Sequence, residues 1–204
     1  MRTDKGQAFP VYIAVVAGLL FLAFAYFAVG QAAFTRNSAQ TAADAAALAA
    51  AQDARDQLRD GWLGVILAPD QWARFVEGEA YVDASACEKA ADFASRNEAG
   101  FTGPGCEPLD DGFRVTVRTT GGEPKPARAS AVAVIEPRCR FVAQAPTPDP
   151  STSTPSPSAS PSGEPEEEPG PILGLTCNGE PWEVDPEDPR LPSAADLFTV
   201  RLSN

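Results

Sequence analysis

The sequence predicts an α+β protein: a single N-terminal transmembrane helix extending into a long Ala-rich helix, then a small disulfide-stapled helix plus antiparallel β unit with a disordered Pro-rich insert. Three observations carry this expectation. No charged side chain lies between Lys5 and Arg36, and Phe9 to Val29 is almost wholly Val, Ile, Leu, Phe and Ala. Phe113, Val115 and Val117 alternate with Arg114, Thr116 and Arg118, the period-two pattern of a half-buried strand. Four cysteines, Cys87, Cys106, Cys139 and Cys177, are scattered with no C-x-x-C pair, which suits disulfides rather than a thioredoxin-type motif or an all-cysteine zinc site.

Composition excludes several functions. With 16 Lys+Arg against 28 Asp+Glu, the 204-residue chain has a net charge of −12 and lacks the basic surface that nucleic-acid binding requires. It has no histidine, which removes the commonest general base, proton shuttle and nitrogen metal ligand.

The apolar run is long enough to cross a bilayer, since twenty residues at about 1.5 Å each span the roughly 30 Å hydrocarbon core. Pro10 suits a first helical turn, and Tyr12 and Tyr26 suit the interfaces. Arg2 and Lys5 precede the span, whereas Arg36 follows it and is soon joined by Asp44, Asp53 and Asp56. The positive-inside bias therefore predicts residues 1–8 as a cytoplasmic N-terminus, 9–34 as the transmembrane helix, and everything beyond as extracytoplasmic, in a single-pass protein of the cell membrane. The alternative is a secretory signal cut within Val29 to Ala33. An h-region of about 7–15 residues is shorter than this run, which favours a retained signal-anchor. Either way the cysteines reach an oxidising compartment.

From Gln31 through Asp60 there is no Gly or Pro, and alanine dominates. Alanine is the strongest helix former, so 35–60 should continue the membrane helix outward as one rod. Ala39, Ala43, Ala46 and Ala50 form one stripe at helical spacing, with Ala47 and Leu48 beside it. Such a narrow face lets another helix approach closely; the alternative is a solvated helix selected for propensity alone. Gly61 is the expected stop.

A small α+β domain is expected over 61–143. It should hold a short helix after Pro69 capped by Asp70, and a helix from about Ser85 to Asn97 with Ala86, Cys87, Ala90, Ala91, Phe93 and Ala94 as its apolar face and Asn97 and Gly100 at its end. The strand through Phe113–Val117 and a second at about Ala129–Ile135 should pair as an antiparallel hairpin across Gly121, Gly122 and Pro124. Residues 144–171 are dominated by Pro, Ser, Thr and then Glu, too polar to offset ordering entropy, and read as a disordered linker. The C-terminal segment, 172–204, carries Ile172, Leu173, Leu175, Trp182, Val184 and the alternating Phe198, Val200 and Leu202. It should dock back on the domain as a strand or two. Three cysteine connectivities are possible. The favoured one joins Cys87 to Cys106, tying the helix to the following loop, and Cys139 to Cys177, closing the linker into a ring; each bond is worth roughly 3–4 kcal/mol on the loop-entropy model.

No chemistry stands out. Asp110, Asp111, Glu136, Glu183, Asp185, Glu187 and Asp188 are the densest carboxylates, but no large scaffold holds a pair of them across a cleft, and solvated acidic surface is the simpler reading. Asp185, Glu187 and Asp188 lack the spacing of a calcium loop. Only Lys5, Lys89 and Lys125 could serve a Ser–Lys dyad. Gly100, Gly103 and Gly105 match no phosphate-binding loop. Trp62 and Trp72 read as packing residues rather than ligand stackers. No catalytic residue, cofactor, metal or small-molecule substrate is expected.

Gly6-Gln7-Ala8-Phe9-Pro10, the apolar span, and the run from Arg36-Asn37-Ser38-Ala39 through Ala42-Ala43-Asp44-Ala45-Ala46-Ala47-Leu48-Ala49-Ala50-Ala51 resemble the N-terminal module of TadE/TadG-like proteins of the Flp pilus, or tight-adherence, assembly system. The likeness covers about residues 5–55. The segment Val132-Ala133-Val134-Ile135-Glu136-Pro137-Arg138-Cys139 is similar, more loosely, to the actinobacterial type. The resemblance implies a membrane-anchored, non-enzymatic minor pilin or envelope anchor whose partners are the membrane, other pilus or secretion-apparatus membrane proteins and pilins. Related pseudopilins are cut after a Gly with Glu at the fifth position beyond; here Val11 follows Gly6 at that position, so no cleavage site is carried over. The alternative function is a generic membrane-anchored or secreted surface or cell-wall-interacting protein without a pilus role. An exported enzyme using carboxylates ranks third, for want of a cleft-sized scaffold or a catalytic motif.

Overall fold

The computed structural model describes residues 8–122, 125–142, 170–187 and 190–203. Its backbone is one helix, α1, running unbroken from Ala8 to Gly64 over 57 residues, about 85 Å at 1.5 Å per residue. The absence of helix breakers after Gln31 explains its continuity. Gly61 does not stop it. A side chain at Gly61 would collide with the Phe75 ring, so this glycine serves a close approach, and α1 ends at Gly64 instead.

A 3-10 turn, Pro69–Gln71, and a one-turn helix, α2 (Ala73–Val76), follow. Asp70 lies inside the 3-10 turn rather than capping a helix, and no side chain caps either element. The next helix, α3, spans Asp83–Arg96, starting two residues earlier than its pattern suggested. Its buried line is Ala86, Ala90 and Ala94, while Ala91 is exposed. Asn97 terminates it, with its side-chain amide donating to the Phe93 carbonyl, and Glu98 takes the left-handed backbone position at φ 53°. Gly100 plays no part in that stop and lies in the following strand.

Four strands form one antiparallel sheet in the order β1 (Ala99–Leu109), β2 (Gly112–Thr119), β3 (Arg128–Pro137) and β7 (Phe198–Ser203). β2 and β3 make the hairpin expected from the alternation, and Phe113, Val115, Val117, Ala133 and Ile135 are buried. Helix α1 packs on β2, β3 and β7, and α3 packs on α1 and β1, giving two layers, helices over sheet, around one core.

Two parts of the sheet structure depart from the sequence expectation. The stretch around Cys106, read as a loop, is the edge strand β1, irregular between Phe101 and Cys106. A second sheet of β4 (Cys139–Phe141), β5 (Ile172–Cys177) and β6 (Glu180–Val184) arises from segments too short to signal themselves. Its link to the main sheet is Arg138, whose guanidinium donates to the Asn178 side chain at 2.7 Å and the Ala195 carbonyl at 3.2 Å. Short helix α4 (Ala194–Leu197) leads into β7 through a reciprocal capping box between Ser193 and Asp196. The linker expected at 144–171 lies outside the described residues apart from Gly170 and Pro171, as do residues 1–7.

Candidate functional site: the long helix and the head built on it

Helix α1 divides into two surfaces. From Phe9 to Phe34 its bulky residues are exposed: Phe9 is 72% exposed, Phe21 70% and Tyr26 84%. This is the one helix among the described residues that is long and apolar enough to cross a membrane. From Ala39 onward one side of the helix is buried, while Gln40, Thr41, Gln52, Asp56 and Asp60 stay exposed on the other. Ala39, Ala43, Ala46 and Ala50 are fully inaccessible, as are Ala42, Ala47, Ala51 and Ala54, because the head's own α3 and sheet cover them. Methyl-sized side chains allow both layers to close on the helix at once. The stripe that the sequence offered to another helix is therefore occupied within the chain.

Where the two surfaces meet, the turn between β2 and β3 comes alongside α1. Gly121 and Gly122 line a cleft of about 770 Å³ with Ala23, Tyr26, Phe27, Gly30, Gln31 and Phe34. Next to it, Phe34, Asn37 and Thr41 share a smaller cleft of about 520 Å³ with Asn97, Glu98 and Thr119.

The cysteines are joined as Cys87–Cys106, across 5.7 Å between Cα atoms, and Cys139–Cys177, across 4.0 Å. The first ties α3 to β1, holding the cover of the alanine surface closed. The second joins directly opposed partners of β4 and β5, which brings the chain back after residue 170 to where it left.

At the far end of α1, Trp62 and Trp72 are buried edge to face with centroids 5.3 Å apart, and Phe141 packs at a tilt with its centroid 4.9 Å from that of Trp72. The Trp72 indole donates to the Val65 carbonyl at 3.0 Å. Both rings are sealed by protein and offer no ligand face.

The carboxylates singled out in the sequence are dispersed. Asp110 and Asp111 sit at the turn between β1 and β2. Glu136 bonds Arg201 across β3 and β7, and this pairing lowers the Glu136 pKa and raises that of Arg201. Glu183 and Asp185 border a shallow cleft with Trp182 and Arg190, and Asp185 accepts from the Glu187 backbone at 2.9 Å; Asp188 lies outside the described residues. Hydrogen bonds from the Ser193 hydroxyl and backbone N–H lower the Asp196 pKa. Burial, then Asp83, Asp111 and Asp110, raises that of Tyr81. Among the described residues no cluster of three His, Cys, Asp or Glu side chains is placed to hold a metal ion. Lys89 is exposed on α3 and Lys125 in the β2–β3 turn.

The element that the sequence did not reveal is the apposition of Gly121 and Gly122 to α1. Two adjacent glycines in a hairpin turn signal only the turn.

No curated protein and no solved structure matches the chain. Residues 6–53 match a family model described as putative Flp pilus-assembly TadE/G-like. That match begins before the exposed apolar half of α1 and ends within its alanine-buried half, so the likeness to the TadE/G-like model follows the long helix from the apolar segment into the core of the head.

Proposed function

We propose that the protein is a membrane-anchored, non-enzymatic component of a Tad/Flp pilus assembly or secretion apparatus, a TadG-like minor pilin or envelope anchor. The observation that carries this reading is the coincidence of the TadE/G-like segment, residues 6–53, with a single helix that is lipid-compatible at one end and core-forming at the other. A helix continuous across that junction ties the head rigidly to the span, so lateral contacts of the span and contacts of the head are set together. In this reading 9–34 cross the membrane, the N-terminus is cytoplasmic and the head is extracytoplasmic, where the two disulfides suit an oxidising compartment. Partners are other membrane proteins of the apparatus and pilins. With the alanine stripe taken up by the head, the faces available to them are the bulky membrane half of α1 and the outside of the head.

Photo-crosslinking residues placed at Leu20 and, separately, at exposed Glu79 in the native host test this. Adducts with a pilus-apparatus membrane protein or pilin are expected. Adducts confined to proteins of other systems, with pilus assembly intact in a deletion strain, would overturn the pilus role.

A further inference from the structure

Asn37, Asn97 and Asn178 occupy different backbone settings. Asn37 lies inside α1 and is followed by Ser38, whose N–H belongs to the helix ladder. Asn97 is followed by Glu98, whose N–H donates to the Ser95 carbonyl at 3.1 Å. Asn178 and Gly179 form the turn between β5 and β6, closed by the Cys177–Glu180 pair. Their φ values of 55° and 86° are those of a primed hairpin turn, which favours Asn-Gly because both positions are left-handed. Both residues are exposed, and a side chain at Gly179 would meet nothing. The Gly179 N–H has no hydrogen-bond partner among the described residues. Of these three asparagines, Asn178 is therefore the one followed by a free and unhindered backbone nitrogen.

Its side chain is gripped from the other side. Arg138 Nε donates to Asn178 Oδ1 at 2.7 Å, and the same guanidinium donates to the Ala195 carbonyl at 3.2 Å. The Asn178 N–H in turn donates to the Arg138 carbonyl at 2.9 Å. A cation on Oδ1 draws electron density from Cγ and stands where negative charge develops when a nucleophile adds to that carbon.

We propose that Asn178 is a self-modification site, at which the Gly179 nitrogen is the nucleophile, Arg138 stabilises the oxyanion and water is the co-reactant. The Gly179 nitrogen gives its proton to solvent hydroxide and bonds to Asn178 Cγ, while negative charge gathers on Oδ1 against Arg138. The Cγ–Nδ2 bond then breaks, and the amide nitrogen leaves as ammonia with a proton taken from water. Water opens the resulting cyclic imide at either of its carbonyls, leaving aspartate or isoaspartate at position 178. The net change is one water consumed and one ammonia released, with no electron transferred. Either product sets a carboxylate beside Arg138, so the contact that links the small sheet to the main one becomes an ion pair.

Peptide mapping by mass spectrometry of the full-length oxidised protein, aged in detergent micelles, tests this, with Asn37 and Asn97 as internal references. Position 178 should gain the mass of an amide turned to an acid while the references keep theirs, and the rate should rise about tenfold from pH 7 to pH 8 as more of the Gly179 amide is deprotonated. Arg138→Gln should slow the folded protein by about tenfold, less than the loss of a donor in a buried oxyanion site because this one is exposed. In about 8 M urea parent and variant should react at one rate. Trp62 and Trp72 fluorescence reports whether Arg138→Gln keeps the fold; Arg138→Lys carries the comparison where it does not. A position 178 as persistent as the references overturns the proposal. Equal rates for the folded parent and variant, or a difference that survives in urea, overturn the part given to Arg138.

Discussion

The two halves of α1 are parts of one helix with inverted composition. The half that stays outside the protein core is built from Phe, Leu, Val and Tyr, and the half that forms the core is built largely from Ala. On a water-soluble helix the large apolar residues would mark the buried side. Here the exposed half meets a solvent as apolar as itself, so bulk carries no penalty, whereas the core half must admit a helix and a sheet at close range, and size becomes the limiting quantity. Hydrophobicity alone would misplace the core; residue volume locates it.

The most severe test of continuity between the halves is an insertion at their junction. One alanine added after Phe34 turns the head by about 100° relative to the span. On the proposed pilus role, assembly should be lost although the head still folds, and four added residues, about 1.1 turns, should restore much of it; indifference to both insertions would overturn a role that needs the two halves in fixed register.

Next in size is the bond that keeps the alanine half covered. Replacing Cys87 and Cys106 by Ser opens a 19-residue closure and should destabilise the head by about 3 kcal/mol, read by denaturant unfolding in micelles through the buried Trp62 and Trp72.

Smaller, and a direct contrast between the halves, is a pair of size changes. Ala46→Leu overfills a fully buried site and should cost the head about 1–3 kcal/mol. Leu20→Ala, in the exposed half, should leave head unfolding unchanged in the same assay. A tolerated Ala46→Leu would mean that the layers close less tightly than the burial implies.

The smallest effect belongs to the cap that leads β7 onto the sheet. Ser193→Ala removes the capping box and should cost about 1 kcal/mol. Because the folded Asp196 has a lowered pKa, its contribution is full above the usual carboxylate range and fades as pH falls through that range to the folded value. The loss on acidification should be smaller in Ser193→Ala than in the parent, which a pH series of the same unfolding curves would show.

What could be read in the sequence followed the strength of local signals. The unbroken run from Gln31 to Asp60 announced a rod, and alternation at Phe113 to Arg118 announced β2. The edge strand β1 did not announce itself, because Gly100, Gly103, Pro104 and Gly105 read as loop; an edge strand tolerates them since only one side needs ladder partners. Gly61 misled for a related reason: glycine near a helix end reads as a stop, and nothing local reveals the Phe75 ring that requires it. Asp70 lies next to a proline inside a 3-10 turn, and Trp72 just beyond it is buried.

The sequence by itself determined the apolar segment long enough to cross a membrane, the alanine rod and the hairpin strands, since these rest on composition and on periods of 3.6 and 2 along the chain. Only the tertiary structure decided what covers the alanine stripe, where β1 and the second sheet lie, and that the β2–β3 turn comes to rest beside Gly30. Those outcomes depend on contacts between residues distant in the chain, from 38 positions for Cys139 and Cys177 to about ninety for Gly30 and Gly121, and no local pattern encodes which of several apolar or small surfaces will meet.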